Sequence, residues 1–463
     1  MISGLNEAVE LLKRHKNDSV HVVSHIDADG LSSAAILSQA LDREGVEHTI
    51  SCHSLNELPH IEPCELTIFS DLGSGQLHAL HRFSHSDFII LDHHHPSQGD
   101  FPGLVHVNPT RDGYDGTFEV SGSGVSYFFS RAIDERNADL SALAIVGACG
   151  DMQDSGKLKG LNRLILEDAS KNGLLSYEDD LSIFGRSSRP IHKALQYFSD
   201  PYIPSISGNE RGVLAFLSDI GIEVKEGEWL TLADLTFEQK RVIASEMIVR
   251  ALPYVPSEFA KYVPLLVLGE SYTLVREERR SPLRDANEFA TCLNACGRNR
   301  RFMTGIGVAK GDRGSLFDEI REVLRLHREN LKSALSTIAS RTHERRKEIQ
   351  IFCGEGVDDA ILGTVASMLL SQKGFEPYLP IVGYTFIDDD TYKVSARCSR
   401  LLTFGTIHLG KAIRVAACAT GGEGGGHAPA CGAYLRKDRL EEFLSSFECE
   451  IAMQKKGNQK NNI

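Results

Sequence analysis

The sequence contains no Cys-x-x-Cys pair. Its ten cysteines are scattered, and Cys292 and Cys296, four apart, have no second pair to complete a zinc site. Reduced thiols of a cytoplasmic protein are therefore expected. No apolar run approaches the ~20 residues that a membrane helix needs, so a membrane is not an expected partner. The opening MISGLNEAVELLKRH reads as an amphipathic helix charged throughout, not as a signal peptide. An excess of positive charge is also missing: 50 Lys and Arg face 63 Asp and Glu, for a net charge of -13. That excludes a uniformly basic coat on nucleic acid. It does not exclude an enzyme acting on nucleic acid, because carboxylates that hold divalent metals lower the count. Internal repeats and low-complexity segments are absent as well.

What is abundant is local. Thirteen of the 18 histidines lie between His15 and His106, beside several aspartates. Over the same stretch, short β-branched runs alternate with helical ones. SVHVVSH (19–25), ELTIFSD (65–71) and FIILD (88–92) read as strands, with VHVN (105–108) a weaker one. Residues 31–44, 123–135 and 139–150 read as helices. Continuous apolar strands separated by helices imply a parallel sheet covered on both faces, with chemistry at the strands' C-terminal ends. The three clearest strands each end in Asp or His.

VVSHIDADG places His25, Asp27 and Asp29 at alternate positions, on one face if the backbone stays extended, with Gly30 allowing a turn into the next helix. FSDLGSG supplies Asp71, LDHHHP supplies Asp92, His93, His94 and His95, and GACGDMQD supplies Asp151 with Asp154 nearby. A DxDG alone is equally a calcium or turn loop; the combination is not. Carboxylates and imidazoles without thiolate suit Mn2+ or Mg2+. Converging carboxylates need cations to neutralise their repulsion, and two metals sharing a carboxylate are a standard arrangement for phosphoester hydrolysis.

SHIDADG, SDLG, LDHHHP and GACGD, in that order, resemble the four motifs of the DHH phosphoesterase superfamily. NPTRDGYDGTFEVSGSGVSYFFSRAI resembles the stretch between the third and fourth motifs. GGEGGGHAPACGAYL resembles the glycine-rich motif of the DHH-associated domain, and length together with SPLRDANEFATCLNACGR resembles the archaeal RecJ-like exonucleases. The resemblance implies one ion on His25, Asp27 and Asp71, and a second on Asp29, Asp71, His93 and Asp151, with Asp71 shared. It implies His94 at the scissile phosphate and Asp92 orienting the histidines. Three residues depart from the pattern: His25 stands where bacterial RecJ enzymes usually have Asp, His95 is additional, and Cys431 replaces a more usual alanine.

In the C-terminal half, Ser395, Arg397, Gly425, Gly426 and His427 are the expected substrate-binding residues. Glycines admit backbone amides close to phosphate, and a histidine can donate to it or stack on a base. Seven arginines between 276 and 301 form a possible phosphate-binding strip, or equally a solvated face.

The expected class is α/β: a parallel-sheet DHH domain with the metal site (1–185), a mixed α/β middle segment (186–312), a long connector helix (313–345), an α/β DHH-associated domain (346–455) and a disordered tail (456–463). The implied function is a two-metal exonuclease that degrades single-stranded DNA, and also RNA, to nucleoside monophosphates in DNA replication or repair, with its site between the two end domains. GINS is an implied partner. Two alternatives are a phosphodiesterase for short oligonucleotides or cyclic dinucleotides, and a non-catalytic GINS-binding replisome scaffold.

Overall fold

The structure is a computed structural model that describes residues 2–459 except 55, 56, 59, 60, 63, 82–85, 100, 101 and 406. The fold is α/β, with a parallel sheet in the N-terminal part and a mixed sheet in the C-terminal part. The chain divides into two compact units, Met1–Asp180 with Gly269–Arg325, and Leu181–Leu268 with Leu326–Ile463. Residues 269–312 of the expected middle segment thus belong with the first 180 residues. Among the described residues, no helix is long and apolar enough to cross a membrane.

The first unit is built on five parallel strands: β1 (Val20–His25), β2 (His48–His53), β3 (Leu66–Ser70), β4 (Asp87–Leu91) and β5 (Leu104–Val107). Their spatial order is β2-β1-β3-β4-β5. Adjacent residues on each strand serve opposite faces. Val22, Ile68, Ile89 and Leu91 pack with Val125 and Phe129 of helix Gly122–Ile133. Val23, Phe69, Phe88 and Ile90 pack with Leu72, Leu77 and Leu80. Burial on both faces is why these strands read as unbroken apolar runs. β2 has no such run: HTISCH is polar at every other position and only Cys52 is buried, so the apolar-run signal is silent there.

Helix Ala28–Glu44 starts three residues before the expected Leu31, and this changes how the first motif is built. Asp27 is the N-cap, its Oδ1 accepting from Gly30 N at 3.0 Å, and Asp29 lies in the first helical turn. His25, Asp27 and Asp29 therefore converge through a strand end, a cap and a helical turn, not along extended backbone. Gly30 serves close packing rather than a free turn, since a Cβ there would lie 2.3 Å from His25 O.

In the second unit, six strands run in the order Glu344–Arg345, Gln350–Cys353, Ile381–Phe386, Thr391–Arg397, Ala430–Arg436, Glu423–Gly426. The second and third are parallel and the other neighbours antiparallel. Helices Leu409–Ala419 and Leu440–Gln459 share one core with this sheet. Helix Asp359–Leu369 joins another, to which Phe352 and Ile381 contribute. A separate helical core gathers residues 181–267.

Three further expectations change. The connector helix ends at Ala339 rather than 345, because SRTHERRKE offers no apolar residue at helical spacing, and Glu344–Arg345 pairs instead with Gln350 and Ile351. The proline-spaced stretch before Leu268 contains a short helix, Val263–Val267, ahead of its strand. The tail is ordered further than expected, since the last helix continues through Gln459, supported by the Lys455–Glu348 ion pair at 2.6 Å; residues 460–463 lie outside the described residues.

Gly147, in helix Ser141–Gly150, locks this helix against the site. A Cβ would fall 2.1 Å from Ser123 Oγ and 2.4 Å from Asp29 Oδ1. Alanine normally favours a helix over glycine by roughly 1 kcal/mol. Here the clash should reverse the sign, with Gly147→Ala costing about 1–3 kcal/mol in chemical denaturation and displacing Asp29.

Candidate metal centre

Strand order places β1, β3 and β4 side by side, with Ser24, Ser70 and Leu91 in register. The residues that follow these strands therefore emerge at neighbouring points on one edge of the sheet. Three sets of side chains bring their nitrogen and oxygen atoms within 4.8 Å of one another: His25, Asp27 and Asp71; Asp29, His93 and Asp151; and Asp71, Asp92, His93 and His94.

Asp71 joins them. Its Oδ2 lies 3.6 Å from His25 Nδ1 and its Oδ1 3.3 Å from His93 Nε2. The residue has φ 60°, an unusual value for aspartate. Its side chain is hemmed by Gly122, where a Cβ would come within 2.5 Å of both Asp71 Cβ and Oδ1. His25 Nδ1 is also 2.8 Å from Asp27 Oδ2. His93 Nε2 is 3.7 Å from Asp151 Oδ2 and 3.9 Å from Asp29 Oδ2. Yet His25 Nδ1, Asp71 Oδ1 and His93 Nε2 are all buried and make no hydrogen bond within the protein. Buried polar atoms that make no hydrogen bond are costly, and these three, one of them on Asp71 and the others beside it, fit a cation.

The surroundings hold the donors in register. His93 Nδ1 donates to Gly116 O at 2.6 Å, which leaves Nε2 as a lone pair directed at the carboxylates. Asp29 accepts from Gly122 N at 2.6 Å and Ser123 N at 3.0 Å, at the start of helix Gly122–Ile133. Gln153 Nε2 donates to Asp151 Oδ2 and to the carbonyls of Gly116 and Val120. Asp92 points elsewhere: Ser74 N occupies one oxygen, and His93 N, His94 N and His94 Nδ1 converge on the other. It fixes the histidine turn. Asn108 braces the same turn through His94 O and Ser74 Oγ, both at 2.8 Å. Gly116, Gln153, Gly122 with Ser123 and Asn108 carry no metal-type signal in sequence; only Asn108, closing the strand VHVN, stands where a strand-end residue draws notice.

The charges are tuned accordingly. Burial disfavours ionised Asp29, and the Asp71 charge adds to this, so its carboxyl is held well above the usual range. Burial opposes protonation of His25 and His93. It is outweighed at His25 by Asp27 and Asp71, and at His93 by Asp71, Asp151 and Asp29, so both imidazoles bind protons more tightly than usual. Asp92 lies below the carboxylate range: burial works against its ionisation, but His94 and the amides outweigh it.

The remaining residues fall outside this cluster. Asp154 binds Asn287 Nδ2 at 2.8 Å, and His95 is exposed with Nδ1 on Pro96 O at 3.2 Å. The arginine strip does not form one free face. Arg284 bonds the backbone of its own loop, while Arg300 and Arg301 face Glu57 and Glu319 at 3.9 and 3.7 Å. Its helix does reach the first motif: Asn294 Oδ1 accepts from Ala28 N at 3.0 Å, and Arg298 interacts electrostatically with Asp27. Ser395, Arg397, Gly425, Gly426 and His427 lie together in the second unit. Ser395 and Gly425 each pair with Gly432 from opposite sides, and Arg397 Nη1 donates to Cys431 O at 3.1 Å. The glycine run is an edge strand and its hairpin turn, not a loose loop.

Divalent binding must expel the protons that this cluster retains on His25, His93 and Asp29. Mn2+ affinity should accordingly rise with pH, and go on rising above the ordinary histidine range, and titration calorimetry in buffers of different ionisation enthalpy should report net proton release. Affinity independent of both pH and buffer would count against the cluster as the binding site.

The sequence matches the DHH family N-terminal domain over residues 19–147, the DHH-CID domain over 183–258 and the DHHA1 domain over 346–453. It is 33% identical over 443 residues to the uncharacterised protein MJ0831 of Methanocaldococcus jannaschii, covering 92% of this chain and 91% of that one. Among solved structures, RecJ of Thermus thermophilus in complex with Mn2+ is similar with a TM-score of 0.60 at 19% identity, over 98% of this chain and 55% of that one. This chain thus spans about half the length of that RecJ. CDC45 of Entamoeba histolytica is similar with a TM-score of 0.60 at 13% identity, over 97% of this chain and 99% of that one. The chain belongs to the DHH family and has a RecJ-like fold, one that supports phosphoester hydrolysis.

Proposed function

We propose that this chain is a metal-dependent exonuclease that hydrolyses single-stranded DNA, and RNA as a second substrate, to nucleoside monophosphates in DNA replication or repair. The observation that carries this reading is the buried Asp71, with one oxygen toward His25 and the other toward His93. His25, Asp27 and Asp71 would hold one Mn2+ or Mg2+ ion, and Asp29, Asp71, His93 and Asp151 a second. Divalent ions held there supply the positive charge that phosphodiester hydrolysis needs at the phosphoryl group. The protein's own part is orientation and proton placement. Gly116 O keeps the proton of His93 on Nδ1, so that Nε2 stays available as a ligand. His94 is half exposed, with Nδ1 2.8 Å from Asp92. Burial and the neighbouring His93 oppose its protonation, but Asp92 raises its pKa overall, and a protonated His94 presents Nε2–H to a phosphate oxygen. Ser395, Arg397, Gly425, Gly426 and His427 bind the strand.

The likeness to CDC45 over nearly the whole of both chains supports a second role, as a replisome scaffold that binds GINS. It is compatible with hydrolysis. GINS should co-purify with the full-length protein; its absence would remove the partner and leave the nuclease reading standing.

Asp71→Ala should abolish release of mononucleotides from end-labelled 20-nucleotide strands, since both sets lose their common carboxylate. EDTA should do the same, with Mn2+ restoring activity better than the larger Ca2+. Substantial activity of Asp71→Ala in Mn2+ would refute the shared-ligand assignment. The double variant Arg397→Ala, His427→Ala should weaken binding of the 20-nucleotide strand by about tenfold or more, at roughly 1–3 kcal/mol per contact. Cleavage of a minimal activated phosphodiester should fall far less. Equal losses would place these residues in bond cleavage itself.

A further inference from the structure

We propose that Lys411 and Arg414, with the Nε2–H of His408 beside them, extend the glycine-rich turn into a basic ridge that holds the phosphodiester backbone of a single strand beyond the nucleotide at His427. The proposal rests on the nuclease reading and names more of its substrate path.

The start of helix Leu409–Ala419 is pressed onto the turn. Leu409 N donates to Ala428 O at 2.9 Å and Gly410 N to His427 O at 3.1 Å. A Cβ on Gly410 would lie 1.9 Å from Gly426 O, so only glycine permits this approach. Lys411 therefore follows directly on a residue bonded to the backbone of His427. His408 caps the helix: its Nδ1 accepts from Lys411 N at 3.2 Å, and its own backbone is clamped by Gln454, which accepts from His408 N and donates to His408 O. With Nδ1 accepting, the ring proton sits on Nε2, where it is a donor.

Helical spacing does the rest. Lys411, Arg414, Val415 and Cys418 are exposed on one face, while Ala412, Ile413, Ala416 and Ala417 enter the core. Lys411 and Arg414 are about 4.5 Å apart along the axis. LGKAIRVAACA contains no acid, and neither Lys411 nor Arg414 makes an ion pair among the described residues. Burial lowers the pKa of His408, and Lys411, His427 and Arg414 lower it further, so all three lie near the His408 ring. In a chain of net charge -13, Lys411 and Arg414, two cations without an ion pair beside a phosphate-type turn, fit an anion. The first turn's amides are already taken by the glycine-rich turn and by His408, so the side chains, not the helix end, are the binding groups. A regular array of lysine and arginine fits a polyanion better than one small anion.

The test compares wild type with Lys411→Ala, Arg414→Ala. Both sites are exposed, and alanine is the stronger helix former, so the fold should persist; circular dichroism checks this. Binding of a hydrolysis-resistant phosphorothioate 20-nucleotide strand is measured over a salt series, with Val415→Ala as the control on the same face. The expected result is roughly tenfold weaker binding, with the slope of log affinity against log salt shallower by about 1.4, the value for two single-strand phosphate contacts. Val415→Ala should leave affinity and slope at wild-type values. An unchanged slope and affinity in the double variant, with wild type binding the strand, would overturn the ridge and leave the nuclease reading intact. A wild type that fails to bind the strand at all would overturn both.

Discussion

Mutual repulsion among Asp29, Asp71 and Asp151 is the constraint around which the first unit is organised. Three carboxylates facing one buried space are stable only if something positive or protic lies between them. Without a cation, protons take that place, which is why Asp29 and the two histidines bind them so tightly. The surrounding backbone responds to the same demand. Amides of Gly122 and Ser123 neutralise part of the charge on Asp29. Asp71, in a left-handed conformation, presents one oxygen to His25 and the other to His93. A site assembled under such tension is poised for a multivalent cation, because each ion that enters removes repulsion as well as forming bonds.

Topology makes that assembly inexpensive for the chain. Parallel strands deliver all their C-terminal ends to one edge, and the order β2-β1-β3-β4-β5 makes the three ends that carry the clustered acids and histidines neighbours. No long loop has to reach the site. Instead each donor follows its strand within a few residues, and helix Ser141–Gly150 brings in Asp151 at its C-terminal end. The close approaches at Gly122 and Gly147 are the other half of the design. Helices can come near enough to touch Asp71 and Asp29 only because those positions carry no side chain.

Sequence alone discloses the chemistry of this site better than its scaffolding. His25, Asp27, Asp29, Asp71, His93 and Asp151 are visible because strand-end acids and a histidine run are rare combinations, and the structure gathers all six. Gln153 and Gly116 are not visible, since they act through hydrogen bonds whose partners lie 37 and 23 residues away. β2 escaped because it is polar at alternate positions at the sheet's edge. The turn expected at Gly30 is a helical turn because a capping aspartate, read only as a ligand, also starts the helix. The early end of the connector helix and the late end of the last one have a common origin: polar runs do not declare their conformation, which pairing and packing elsewhere decide.

The arginine strip and the ridge at Lys411 show how an acidic chain can hold a polyanion. At physiological salt, exposed charges act over about 8 Å, so the net charge of the whole chain says little about any one groove. What matters is whether the cations at a given place have already found acids. Arg300 and Arg301 each have an acid nearby, Glu57 and Glu319 at 3.9 and 3.7 Å, whereas the helix carrying Lys411 and Arg414 has no acid at all. Composition counts both groups alike. On an acidic surface, long-range steering of a strand is weak, and short-range contacts must supply the hold. Cations that form no ion pair and sit on a helix pressed against an ordered glycine turn meet that requirement.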